Sequence, residues 1–199
     1  MYKTFLILFF CSSNILLASS LDLGLGYIGL ETNHYKGSDE TKTYNLYVPY
    51  INYQGDYLEA DNAVVNSKFI NTRILSLKLS LGAAPNVEND NKARAGMPEL
   101  LYNFGIGPML VLHFFKSQAF ELNIEANYRQ EFETDLDYTA AFGTTQTTYL
   151  SLKLRQPTWS FEVSHGITYA DKSFHDYYYT VETEFATAGR EAYESKAGF

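Results

Sequence analysis

"FELNIEANY", residues 120–128, decides the fold. Phe120, Leu122, Ile124, Ala126 and Tyr128 alternate with Glu121, Asn123, Glu125 and Asn127. Successive side chains on a strand point to opposite faces, so this stretch is a strand with one apolar and one polar face. The same period recurs in "ILSLKLSL" (74–81), with Leu75, Leu77, Leu79 and Leu81 opposite Ser76, Lys78 and Ser80. It recurs in "YLSLKLR" (149–155) and in "WSFEVSHGITY" (159–169), where Trp159, Phe161, Val163, Ile167 and Tyr169 share a face. Extended over the chain, the pattern predicts strands at 21–32, 43–53, 57–66, 69–83, 102–115, 119–132, 145–155, 158–170 and 175–184, with a further start near Tyr193.

The connections sort by length. "QGD" (54–56), "KSQ" (116–118) and "QPT" (156–158) are tight turns. "NHYKGSDETK", "APNVENDNKARAGM" and "FETDLD" are longer polar connections. Short turns on one side and long loops on the other are the layout of a transmembrane β-barrel. A soluble sandwich alternates too, but the polar face here carries Lys78, Glu121, Glu125, Lys153, Arg155 and Glu162. Charge of both signs suits a wet or ion-paired lumen better than a dry core. Tyr44, Tyr47, Tyr50, Tyr53 and Tyr57 supply an aromatic girdle near strand ends. The expected fold class is therefore all-β, an antiparallel transmembrane β-barrel. Its lumen would be largely filled by side chains, which argues against a general porin.

Residues 1–20 read as a cleaved secretory signal. Lys3 precedes an apolar run that ends at Ala18 and Ser20, and the run is too short and broken to span as a helix. The only cysteine, Cys11, leaves with it, so residues 21–199 have no thiol chemistry. The whole chain carries a net charge of −8, and loss of Lys3 makes it −9. An acidic chain of this kind is not a nucleic-acid binder.

"GLGYIG" (24–29) matches the G-x-G-x-x-G form of a dinucleotide loop. However, no strand fits before it, no helix period follows, and no acid stands about twenty residues on. Strand parity instead places Gly24 and Gly26 on the inward face, opposite Leu21, Leu23, Leu25 and Tyr27.

The glycine-rich first strand with Gly24 and Gly26 leads to a Y-x-G-S-D loop, here Tyr35, Gly37, Ser38 and Asp39. "YADKSFHDYYYTV", with Tyr169, Asp171 and Tyr178, is an acidic turn followed by an aromatic stretch. "AYESKAGF", with Ala192, Tyr193 and Gly198, is an A-Y-x-x-x-A-G segment. In this order the stretches resemble the MipA/OmpV family of outer-membrane proteins. The resemblance implies a barrel of about 10–12 strands of which this chain covers fewer, the C-terminal part being cut short. It also implies a non-enzymatic scaffold in the outer membrane, embedded in its lipid. The partners it implies are a periplasmic lytic transglycosylase and a penicillin-binding protein. Surface antigen or adhesin roles also occur in the family. No catalytic residue, cofactor or metal comes with it. The alternative is a small-solute channel or a lipid-modifying outer-membrane enzyme.

The remaining constellations favour that expectation. Ser164 and His165 are neighbours on a strand and face apart, so they cannot pair. His113, His34 and His175 read as interface or rim histidines. Glu88 and Asp90 lack the spacing of a calcium loop.

Overall fold

The structure, a computed structural model, describes residues 9–11, 20–55, 58–61, 64–87 and 91–199. Ten strands form one sheet: β1 (Phe9–Cys11), β2 (Ser20–Asn33), β3 (Thr41–Gln54), β4 (Leu58–Asp61), β5 (Val64–Asn71), β6 (Leu75–Ala84), β7 (Tyr102–Lys116), β8 (Phe120–Thr134), β9 (Thr139–Gln156) and β10 (Trp159–Ala170). Each strand pairs antiparallel with the next in sequence, so the sheet is a meander. The all-β antiparallel expectation holds. The sheet is open: β1 and β10 are its edges, and no strand pairing joins them among the described residues. β1 lies within the expected signal and pairs with Leu23–Leu25; residues 1–8 and 12–19 lie outside the described residues.

The polarity of the sheet is inverted relative to a soluble protein. Among the described residues six apolar side chains are buried, against fifteen polar or charged ones. Three of the six, Val87, Met97 and Leu100, belong to the connection between β6 and β7 rather than to strands. On β7 the pattern is explicit. Asn103, Gly105, Val111 and His113 are buried, while Tyr102, Phe104, Ile106, Leu110 and Leu112 are exposed. Ser76 and Ser80 on β6, Asn123, Asn127 and Glu131 on β8, and Thr145, Thr147 and Ser151 on β9 share the buried face. Among the described residues the outer face is largely apolar, with Leu23 52 %, Leu110 45 % and Phe161 53 % exposed. Gly24 and Gly26 fall on the inner parity as expected, Gly26 being buried and Leu23 and Leu25 exposed.

The charges expected on the polar face pair up near the short-turn end. Arg155 Nη1 lies 2.6 Å from Glu121 Oε1 and Lys153 Nζ 3.2 Å from Glu162 Oε1. Ser151 Oγ donates to Glu125 Oε1 at 2.7 Å.

Four expectations are corrected. First, residues 175–184 are not a strand. Lys172–Tyr179 form a helix, α1, because Asp171 caps its N-terminus by accepting from Phe174 N. Second, the predicted strands 57–66 and 69–83 are three strands, β4, β5 and β6. The last turn comes at 72–74, where Thr72 Oγ1 accepts from Ile74 N and Leu75 N. Third, no strand starts at Tyr193; that residue makes only an isolated bridge to Val181. Fourth, the tyrosines of β3 do not form one girdle. Tyr44 is buried on the inner face and Tyr47 is exposed in mid-strand, while Tyr57 lies outside the described residues.

Candidate functional site

One end of the sheet carries the short turns 72–74, 117–119 and 157–158. The other carries the loops 34–40, 85–101 and 135–138 and the segment 171–199, which contains α1. The sequence residues singled out above gather mostly at this second end.

Helix α1 is held on β9 by three devices. Asp171 is the first: its Oδ2 accepts from Thr144 N at 2.9 Å and from Thr144 Oγ1 at 2.7 Å, while its Oδ1 caps the helix. The second is a β-bulge. Glu131 pairs with Gly143 and Phe132 with Ala141, leaving Phe142 as the extra residue on β9. A bulge re-aims its side chain, and the Phe142 ring stacks on Tyr177 at 4.2 Å and on Phe174 at 5.8 Å. The third is Gly143. A Cβ there would lie 2.5 Å from Phe174 N and 2.6 Å from its Cα, so only glycine lets the helix backbone approach this closely.

Three consecutive tyrosines then tie α1 to three neighbours. Tyr177 Oη accepts from Leu101 N at 2.9 Å, at the start of β7. Tyr178 Oη accepts from Asn103 Nδ2. Tyr179 Oη donates to Lys36 O at 3.0 Å in loop 34–40. Burial pushes the Tyr177 and Tyr178 hydroxyls well above their ordinary value, so both stay protonated at any physiological pH.

The loops close over the same place. Gly37 adopts φ +91°, the left-handed conformation that glycine takes without strain. This turns Ser38 inward, where its Oγ accepts from Asn91 Nδ2 at 3.2 Å. Asn91 is fully buried, also meets His34 Nδ1 at 3.3 Å, and caps the turn Lys92–Arg94. Arg94 donates to Tyr178 O at 2.8 Å and to Pro98 O at 3.0 Å. Arg190 donates to Ala93 O and Ala95 O at 2.8 and 3.1 Å. The segment after α1 is thereby bound to loop 85–101. Of the residues picked out in the sequence, Tyr35, Gly37, Ser38, Asp171 and Tyr178 come together here, Tyr35 packing on Tyr179. Asp39 is exposed in the same loop. Tyr169 packs on Phe199 beside the bridge between Ala170 and Gly198. Ala192 and Tyr193 are exposed, and Gly24 and Gly26 sit in mid-strand.

A second clamp holds the end of the chain. Asp176 accepts from Lys172 Nζ, Ser195 Oγ and Thr180 Oγ1, and these bonds hold its carboxyl at about 2, below the ordinary 3.8. A depressed carboxylate stabilises the fold above its unfolded value, and that contribution disappears as pH falls through the folded one. The protection factor of the Ser195 amide, which donates to Thr180 Oγ1, is expected to stay constant from pH 7 to 4 and to collapse near pH 2. Asp176→Asn should lower it already at pH 7. Amide exchange followed by mass spectrometry or NMR reads both.

Under α1 and the loops lies a cavity of about 370 Å³, walled by inner-face residues including Arg129, Glu131 and Tyr149 and roofed by Phe174, Tyr178 and Tyr179. Sequence reasoning missed Phe142, Gly143, Asn91 and Arg129. The i, i+3, i+4 spacing of Phe174, Tyr177 and Tyr178 was the available signal for a helix face.

His113 is buried inside the sheet rather than at a rim. Its Nε2 lies 2.8 Å from Ser76 Oγ and its Nδ1 2.7 Å from Asn123 Oδ1. A hydroxyl, an imidazole and an orienting amide stand here in nucleophile–base order. Nonetheless Ser76 is 4 % exposed and borders none of the described cavities. Its Oγ donates to Asn71 Oδ1 at 3.0 Å. The three side chains are a buried polar cluster that satisfies itself. Ser164 and His165 do face apart, pairing with Ser151 on the inner face and Leu150 on the outer one. Glu88 and Asp90 lie outside the described residues, and no group of metal-ligating side chains occurs among the described ones.

The class defined by this architecture is an all-β antiparallel protein of inverted polarity, with a polar interior covered at its long-loop end. No helix among the described residues is long and apolar enough to cross a membrane. The chain belongs to the MipA family: the family model described as MltA-interacting protein MipA matches residues 23–199. No curated protein and no solved structure matches it.

Proposed function

We propose that the chain is an outer-membrane protein of barrel type, exported by a signal cleaved after residue 20, that acts as a non-enzymatic scaffold. The observation that carries this reading is the outward apolar face over a polar interior. Backbone groups of a sheet are satisfied by pairing, so strands can cross a bilayer, and the exposed leucines and aromatics then meet lipid rather than water. In water an apolar surface of this extent would drive association. β2 starts from the exported N-terminus, which puts the short turns in the periplasm and the long loops outside. The family name speaks of interaction with MltA. A murein lytic transglycosylase, and with it a penicillin-binding protein, would dock on the short-turn side.

The membrane part is tested by folding in detergent. Folded protein should migrate differently on a gel before and after boiling, and a monodisperse sample in plain buffer would overturn the reading. The scaffold part is tested by retention on immobilised lytic transglycosylase, without conductance in planar bilayers. A fluorophosphonate probe, which modifies activated serines, should leave the folded protein unlabelled. Labelling that disappears in Ser76→Ala would instead establish the enzyme alternative.

A further inference from the structure

The cavity under α1 has the chemistry of a ligand site, and its features do not depend on the docking role. Arg129 and Glu131 stand two residues apart on the inner face of β8. Their heads lie over Gly82 and Gly105, which are direct cross-strand partners on β6 and β7. A Cβ at either glycine would collide with the end of the charged side chain above it. The two glycines therefore form a floor on which the Arg129 and Glu131 heads rest.

The two form a loose ion pair: Arg129 Nε is 3.7 Å from Glu131 Oε1, beyond hydrogen-bond range, and this buried nitrogen has no hydrogen-bond partner. Arg129 Nη1 makes one long bond, 3.4 Å, to Leu81 O. Glu131 Oε1 accepts from Thr145 Oγ1 at 2.6 Å. Lys36 also borders the cavity. Two cations and one carboxylate give the lining a net positive charge, in a chain whose net charge is −8. The remaining wall is aromatic. The Tyr179 hydroxyl donates to Lys36 O and the Tyr178 hydroxyl accepts from Asn103 Nδ2, which holds both rings in place over the cavity.

We infer that this cavity binds a small sugar acid. A carboxylate pairs with Arg129, whose guanidinium suits that geometry, and with Lys36 at the mouth. Ring hydroxyls reach Glu131 and Thr168, and the sugar ring packs on the tyrosine faces. A volume of about 370 Å³ stands at the small end of ligand pockets, which run from roughly 300 to 1,000 Å³. A monosaccharide acid fits that range better than a longer glycan.

The test is isothermal titration of the full chain folded in detergent, using glucuronate, glucose and acetate as probes. Glucuronate should bind with a Kd below about 1 mM, and glucose and acetate each at least about tenfold more weakly, since a charged hydrogen bond is worth roughly that factor or more. Arg129→Gln should weaken glucuronate binding at least about tenfold by the same reasoning. Lys36→Glu changes an exposed loop residue, cannot be blamed on misfolding, and should weaken it in the same direction. Gel mobility before and after boiling certifies the fold of each variant. The inference is overturned if folded wild type does not bind glucuronate, if acetate or glucose binds equally well, or if neither substitution changes the affinity.

Discussion

Leu110→Arg is expected to destabilise the protein in a lipid bilayer by about 2–4 kcal/mol, the cost of placing arginine on the lipid face of a barrel near its midplane. Leu110 lies near the middle of β7, on the outward face, and is 45 % exposed. In a soluble sheet an exposed leucine can be replaced by arginine at a cost within about 0.5 kcal/mol. The two environments therefore predict different results for one substitution. Urea unfolding of the wild type and of Leu110→Arg in phospholipid vesicles measures the cost. A cost within about 0.5 kcal/mol in vesicles would remove the main support for a membrane location.

Gly143→Val is expected to release α1 from the sheet. The added Cβ would sit 2.5 Å from Phe174 N and 2.6 Å from its Cα. These are backbone atoms of a capped helix and cannot swing aside as a long side chain could. Overpacking of this sort costs about 1–3 kcal/mol. Separation of Phe142 from Phe174, Tyr177 and Tyr178 removes aromatic pairs worth about 0.5–1.5 kcal/mol each. The measurement is alkaline titration of tyrosine absorbance. In the native protein, Tyr177 and Tyr178 ionise well above the ordinary value of 10.0 because they are buried. In Gly143→Val both should return to the ordinary range, while the gel shift on boiling persists because the strand ladder is intact. Gly143→Ala should have the same effect in milder form. An unchanged titration curve in the valine variant would show that α1 has another position of equal stability.

The strands were legible because their signal is local. The alternation at Phe120–Tyr128 or Leu75–Leu81 depends on nothing outside the stretch, and β7, β8 and β10 begin and end close to the expected bounds, whereas β9 starts at Thr139, well before the expected 145. The parity that places Gly24 and Gly26 opposite Leu23 and Leu25 is local too. The misread elements are those where a side chain decides between conformations. Asp171 reads equally well as a turn residue or as a helix cap, and "FHDYYYT" by itself reads as an aromatic strand. Its helix forms because Asp171 is anchored on Thr144, a residue 27 positions earlier in the chain. Thr72 likewise makes a turn inside what reads as the start of one long strand.

The site was legible only in fragments. Tyr35, Gly37 and Ser38 mark a polar turn, but that Ser38 meets Asn91 is a contact across 53 residues. Arg129 and Glu131 share a face by parity alone. That they rest on Gly82 and Gly105 follows from the register of β6, β7 and β8, which only the folded ladder sets. The extra residue at Phe142 is defined solely against β8.

By itself the sequence determined that this is a meander of amphipathic strands with short turns at one end and loops at the other. Hydrophobic alternation and turn chemistry act over a few residues and need no partner. The tertiary structure decided the register in which the strands pair and so which inner-face side chains meet, since alternation gives each strand two faces but not the residue that lies opposite. It also decided that the chain after β10 folds back as a helix over the polar interior. Capping, bulge and glycine contact act there only once distant strands have been brought into register.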